Sequence, residues 1–444
     1  MDIALYTIRT IALIITQPIS VLGIIVFAFV FYRQNKKTVV MQKMIIGEPL
    51  DSPFELTISQ IVIGIIAGAI GSVILSYLGV VFDEYSAIGL IFLVSLLLMF
   101  VNPKLICFSY SGAIIGFISV VLSEIAILNK GVVLNLYGQT INLSNIDFLK
   151  IDIVSLMTLV GVLHIIEGIL VLIDGKKGSI PVFTNKDGNI IGGFALKRYW
   201  LLPITIMVLS ASSAIVGAGS GSVSIGTPDG WPFIKSAFTA VNFNKAIISM
   251  LPLFGGIGYN SITFTKNKTQ KTQISGGMIF SFGLALTLVA QIGNINLVTK
   301  LFVIAFAPLA HEGMLHLVKH IENKGKMAYV SSSNSIMVLD VAPNTPADEM
   351  GIKSGDKIIE INNRKVESEE QMINIMTGIS NFFWFKIKKT SGEIQEVHYN
   401  KINPGKRLGI IFVPLGVPKG SVVIKFDETK FSDVLNKIKN KKDK

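Results

Sequence analysis

Long apolar runs separated by short polar stretches fill the chain up to about residue 320, and beyond about residue 330 short alternating segments replace them. A membrane-crossing helix needs about 20 mostly apolar residues. Nine runs approach that length, near 8–32, 57–82, 87–102, 104–123, 152–173, 199–219, 238–262, 273–292 and 297–320. The third and fourth are short and divided only by Asn102-Pro103-Lys104, so they also read as one tight hairpin. The pattern predicts a polytopic α-helical bundle of about nine spans over residues 1–320. A small mixed α/β domain follows over 330–415, and then a tail over 420–444.

Two loops carry strand signals. Residues 132–136 and 140–143 flank Tyr137-Gly138-Gln139, and Pro181–Thr184 and Asn189–Ile191 flank Asn185-Lys186-Asp187-Gly188. β-branched flanks around a glycine-bearing turn predict a hairpin in each. A weak repeat is also visible. Glu167-Gly168-Ile169-Leu170-Val171-Leu172 echoes Glu312-Gly313-Met314-Leu315-His316-Leu317, and Ser111-Gly112-Ala113 echoes Ser275-Gly276-Gly277. Read as real, it makes spans two to five and six to nine parallel copies.

Composition agrees with the periodicity. Half of the 444 residues are apolar, only 16% are charged, and mean hydropathy is +0.60. A soluble domain carries about a quarter charged residues, which excludes an ordinary soluble enzyme. Of the 69 charged residues, 35 fall within residues 321–444. The net charge of +11 invites a nucleic-acid reading, but the lysines are spread over loops and tail. Positive-inside topology accounts for them more simply. The first run has little charge ahead of it, no small-x-small site, and Arg33, Lys36 and Lys37 behind it, as a retained anchor with its N-terminus outside would. Alternating from there puts Arg33, Lys36, Lys37 and Lys43, then Lys104, then Lys176, Lys177, Lys186, Lys197 and Arg198, then Lys266, Lys268 and Lys271 on the cytoplasmic side, together with the C-terminal domain. The predicted location is a cell membrane, crossed several times.

A few ionisable residues interrupt the apolar runs. His164 and Glu167 lie three apart on one face of the fifth run, and His311, Glu312 and His316 lie in the last. Charges in hydrocarbon cost at least about 2.5–3.5 kcal/mol and face the bundle interior. They read as polar glue between helices, in preference to a proton relay, a bound metal or a proteolytic centre. Zinc proteolysis would need two histidines four apart on one helical face. His311 and His316 are five apart, and Asp229 precedes them in a loop beside Trp231-Pro232. The single cysteine, Cys107, excludes a disulfide framework and a Cys-rich zinc site and reads as an inert buried thiol. No catalytic residue, metal or cofactor is assigned.

From 336 onward the chemistry is sharper. The strand Ile336–Val341 leads to Ala342-Pro343-Asn344-Thr345-Pro346-Ala347, then Met350-Gly351, then Gly355-Asp356 and the strand 357–362. This order closely resembles the PDZ-domain signature, with Asn363 where that family has glycine. Ser368 and Gln371 form a capping box that opens a helix to Ile379, whose apolar face is Met372, Ile375, Met376 and Ile379. Strands follow at 382–388 and 393–400. Last comes Gly405-Lys406-Arg407-Leu408-Gly409-Ile410-Ile411-Phe412, in which Leu408–Ile411 resembles the Gly-Leu-Gly-Phe loop that opens many PDZ domains. The resemblance implies a circularly permuted domain. A partner strand or peptide C-terminus would lie beside Ile410-Ile411-Phe412, and the 408–410 amides, with Lys406 or Arg407, would hold its carboxylate. The tail places Phe426, Phe431, Val434, Leu435 and Ile438 among lysines, either a basic amphipathic helix on an anionic leaflet or a disordered end.

Many spans, a His-Glu last span and a C-terminal PDZ domain occur with a loop containing Gly178, Pro181, Val182, Phe183, Gly192, Gly193, Phe194, Trp200 and Pro203. This combination resembles the MinJ-type membrane PDZ proteins of low-GC Gram-positive bacteria. The resemblance implies a non-enzymatic adaptor at the division septum, joining a curvature-sensing polar or septal protein to the Min ATPase system. An intramembrane protease or regulator of proteolysis and a transporter are the alternative classes.

Overall fold

A computed structural model describes residues 2–46, 50–128, 133–136, 139–142, 149–186, 188–210, 227–234, 236, 247–332, 334–366, 371, 382–400 and 408–415. The chain forms two compact units. One comprises residues 1–99, 105–181 and 194–326, the other 100–104, 182–193 and 327–444.

In the first unit the apolar runs become α1 (Ile3–Thr16), α2 (Pro18–Ile46), α3 (Pro53–Leu78), α4 (Leu90–Val101), α5 (Phe108–Leu128), α6 (Ile153–Asp174), α7 (Lys268–Ala290) and α8 (Leu297–Lys324). Six of them, α2, α3, α5, α6, α7 and α8, are long and apolar enough to cross a membrane. α1 and α4, with 14 and 12 residues, are too short to do so. The first run breaks at Gln17, which is extended (φ −64°, ψ 140°) because the ring of Pro18 disfavours helix at the preceding residue.

Two of the nine apolar runs are strands over their described residues. Residues 199–210 lie in strand β5 (Asn189–Ser210) and 247–262 in β6 (Ile247–Thr263), paired antiparallel from Phe194↔Thr263 to Ser210↔Ile247. β1 (Val81–Asp83) joins β5 in parallel, Val81 opposite Met207. Hydropathy alone does not separate a strand buried on both faces from a buried helix. The deciding residues are Pro203, Pro252, Gly255, Gly256 and Gly258, which disfavour helix, together with the β-branched and aromatic side chains between them. Residues 199–210 and 247–262, counted within spans six and seven of the expected repeat, are thus strands.

The cations counted for topology also change character. Arg198 is fully buried against Asp174, and Lys271 is buried with its Nζ 3.0 Å from Glu322 Oε2. Glu322 also accepts from the Phe264 and Thr265 amides at 2.9 and 3.1 Å, tying the end of α8 to the turn before α7. The α6–α7 pair is closest where glycines meet. A Cβ at Gly283 would lie 2.6 Å from the Gly161 carbonyl oxygen, and one at Gly168 2.8 Å from that of Gly276. Small residues let two apolar helices gain dispersion and shed lipid contact. The outward faces of α2 and α3 expose Ile19, Leu22, Phe29, Ile58, Val62 and Ile66, as lipid-facing surfaces do. Strands β2 (Val133–Leu136) and β3 (Gln139–Asn142) pair as the alternation predicts.

The second unit holds β7 (Tyr329–Val330), β8 (Ile336–Val341), the one-turn α9 (Pro346–Glu349), β9 (Lys357–Ile361), β10 (Arg364–Lys365), β11 (Phe382–Lys388), β12 (Ile394–Asn400) and β13 (Ile410–Phe412). The sheet order is β12-β11-β9-β8-β13, with β10 on β9. Val338, Ile352, Ile358, Ile361, Phe385 and Ile387 form its core. The 182–193 hairpin, made by β4 (Ile180–Lys186) and the start of β5, belongs to this unit: Ile191 pairs with Val330 and Gly192 with Tyr329. A Cβ on Gly192 would meet Val413 at 2.8 Å and Leu339 at 3.0 Å. Burial, followed by the nearby Asp340 charge, pushes the Tyr329 hydroxyl above its ordinary range, although Ser354 Oγ donates to it at 3.0 Å.

Candidate functional site

Two places gather functional chemistry, one in each unit. In the second unit, the residues singled out at 408–412 form the edge of the sheet. β13 pairs antiparallel with β8, Ile410 opposite Val341 and Ile411 opposite Asp340. Among the described residues it is the last strand in the order, so its outer edge is where a strand could be added. The loop before it is pinned from both sides. Gly409 O accepts from the Ala342 amide at 2.8 Å, and Leu408 O accepts from the Ala347 amide at 3.1 Å. Gly409 is left-handed (φ 76°), and a Cβ there would sit 2.4 Å from Thr345 Oγ1, which donates to Ala342 O at 2.6 Å. Only glycine fits that turn. Ile411 and Phe412 are buried, and Leu408 and Ile410 half-buried against the same core. Lys406, Arg407 and the helix positions Met372, Ile375, Met376 and Ile379 lie outside the described residues, as does the tail.

In the first unit, α5, α6 and α8 bring together polar residues far apart in the chain. Cys107, in the turn before α5, has its Sγ 3.0 Å from His164 Nε2 and 3.5 Å from His311 Nε2. The two imidazole centroids are 5.7 Å apart, and Phe282 packs edge-on against both rings. Ser109 adds its backbone N–H to Cys107 Sγ at 3.4 Å and places its hydroxyl 3.3 Å from His164 Nε2. On the other side, Tyr110 OH lies 3.2 Å from His311 Nδ1 and donates to Glu312 Oε1. Glu167 Oε2 is 4.0 Å from His164 Nε2. His164 and His311 are buried.

The sequence reading thus found four of these residues, His164, Glu167, His311 and Glu312, but not how they meet. Cys107, Ser109 and Tyr110 were missed as partners, because 57 and 204 residues separate the thiol from its two histidines and no spacing rule spans that. His316 is exposed and stands apart from the cluster, on another face of α8. Asp229 lies in an exposed turn.

The second unit is a PDZ module: residues 320–380 match the PDZ domain family. A search of the curated proteins returns no match. A C-terminal PDZ domain and six helices suited to cross a membrane define the class, a membrane-anchored protein built for protein interaction.

Proposed function

We propose that this chain is a non-enzymatic scaffold that holds a circularly permuted PDZ groove at the inner face of a bacterial membrane and recruits protein partners there. The observation that carries the reading is the PDZ match over residues 320–380 in a chain that also has six helices long and apolar enough to cross a membrane. A partner strand or C-terminus would extend the sheet at β13, and the pinned 408–410 turn would present amides to a terminal carboxylate. The resemblance to MinJ-type proteins extends the proposal to the division site, with a curvature-sensing septal protein and the Min ATPase system as the partners joined.

The test is co-purification from bacterial membranes, comparing the whole protein with Gly409→Asp and Ile375→Asp variants that retain normal size-exclusion profiles. Capture of both division proteins by the wild type, lost in the variants, supports the reading. Equal capture by all three places recruitment outside the groove. Absence of division proteins from every sample removes the division role and leaves only the general scaffold.

A further inference from the structure

The Cys107–His164–His311 cluster has the composition and geometry of a metal-ligand set. Its three ligand atoms all lie within 4.8 Å of one another. Tetrahedral zinc, with Zn–S near 2.3 Å and Zn–N near 2.0–2.1 Å, requires S···N edges of about 3.6 Å. The observed S···N edges are 3.0 and 3.5 Å, near that value, and the two ring nitrogens lie within 4.8 Å of each other.

The outer contacts orient both rings for ligation. His164 Nδ1 is 2.7 Å from the Val160 carbonyl oxygen, which can only accept, so Nδ1 carries the proton and Nε2 turns a lone pair toward the sulfur. Tyr110 gives its proton to Glu312, so its oxygen accepts from His311 Nδ1–H and leaves His311 Nε2 bare as well. Metal-bound histidines are held in this way, with the far nitrogen donating to a carbonyl or a hydrogen-bonded oxygen.

Proton counting then exposes what is missing. The thiol has one proton for two facing lone pairs. If it serves His311, the shortest contact, Sγ to His164 Nε2, sets lone pair against lone pair even when Ser109 Oγ donates to that nitrogen. If it serves His164, no described donor reaches His311 Nε2. A single cation bound by thiolate and two neutral imidazoles satisfies the sulfur and both Nε2 lone pairs, and the Ser109 amide then supports the thiolate. A soft sulfur with two imidazoles selects zinc or copper over the oxygen-seeking Mg²⁺ and Ca²⁺.

We infer that the helix bundle binds one Zn²⁺ through Cys107 Sγ, His164 Nε2 and His311 Nε2, clamping α5, α6 and α8 together. Glu167 Oε2 lies beside the site, 4.0 Å from His164 Nε2. Nothing in this depends on the PDZ groove.

The test uses the whole chain, purified in mild detergent without a histidine tag, stripped with a chelator and reloaded. Zinc is counted by mass spectrometry after gel filtration. Because Cys107 is the only cysteine, loading with Co²⁺ gives a diagnostic signal: any sulfur-to-cobalt charge-transfer band must come from it. The expected result is one zinc per chain, a cobalt–thiolate band, and protection of Cys107 from alkylation by Zn²⁺. Cys107→Ser and His311→Ala should lose the band and the bound metal. Tyr110→Phe, which keeps all three ligands, should weaken binding by about 10–100-fold. Zinc retained at one per chain in Cys107→Ser, or a folded wild type with neither zinc nor a charge-transfer band, overturns the inference. Cobalt binding and alkylation protection in wild type decide the matter even where a variant does not fold.

Discussion

Asp174, the last residue of α6, is fully buried, and its carboxylate holds the first unit together at one point. Oδ2 accepts from Arg198 Nε at 3.0 Å, from Arg198 Nη2, and from Trp200 Nε1 at 2.9 Å. Oδ1 accepts from Ser59 Oγ at 2.8 Å and from Lys177 Nζ at 3.0 Å. Arg198 is as deeply buried as its partner, and its other contacts are the Leu56 carbonyl oxygen at 3.4 Å and Ser59 Oγ at 3.2 Å. Replacing Asp174 by leucine, a bulkier apolar side chain, removes the only counter-charge described for the guanidinium. Breaking a buried pair from one side costs about 3–5 kcal/mol, because the remaining charge is neither hydrated nor paired. The Trp200 N–H, left without an acceptor, carries its own penalty of about 1–3 kcal/mol. The two overlap, and Lys177, 46% exposed, adds less than about 1 kcal/mol. We expect Asp174→Leu to lose about 4 kcal/mol. Asp174→Leu combined with Arg198→Met should recover most of it, since an apolar pair of similar volume often replaces an ion pair at little cost. Denaturant titration in mixed micelles, followed by tryptophan fluorescence, measures both against wild type in a double-mutant cycle. A single variant within about 1 kcal/mol of wild type, or a double variant as unstable as the single, would refute the reasoning.

Other outcomes are equally checkable. Gly409→Ala should destabilise the PDZ unit by about 2 kcal/mol, from left-handed backbone strain and the clash with Thr345, and should reduce partner capture in the co-purification assay. Gly168→Val forces α6 from α7, where its Cβ meets the Phe280 amide nitrogen at 2.6 Å; overpacking should cost about 1–3 kcal/mol in the same micelle titration. Asp356, 2% exposed, accepts from the Lys353 amide at 2.9 Å and from Lys389 Nζ at 3.1 Å. Asp356→Ala should cost about 2 kcal/mol, since Lys389 keeps its bond to the Gly351 carbonyl, and faster limited proteolysis of residues 336–400 would report it.

Wherever local pattern dominates, the chain is readable without coordinates. The strands expected at 336–341 and 382–388 form over those residues, and the hairpins around 137–139 and 185–188 pair as read. Side-chain alternation and turn residues act over two to five positions and need no distant partner. Apolar runs are different. The run at 152–173 is a helix and the run at 199–210 a strand, though both read as continuous hydrophobic segments. What separates them is that β5 finds β6 and β1 to satisfy its backbone, while α6 satisfies its own.

Charges show the same division. Lys177 and Arg198 look alike as loop cations in sequence, yet one is half-exposed and the other is sealed beneath Asp174. The class of protein, its apolar bundle and its PDZ signature follow from composition and short-range order, because those forces act locally. The meeting of Cys107 with His164 and His311, and of Asp174 with Arg198, belongs to the tertiary structure alone. Contacts between residues on different helices and strands depend on how those elements pack, and no interval along the chain encodes that.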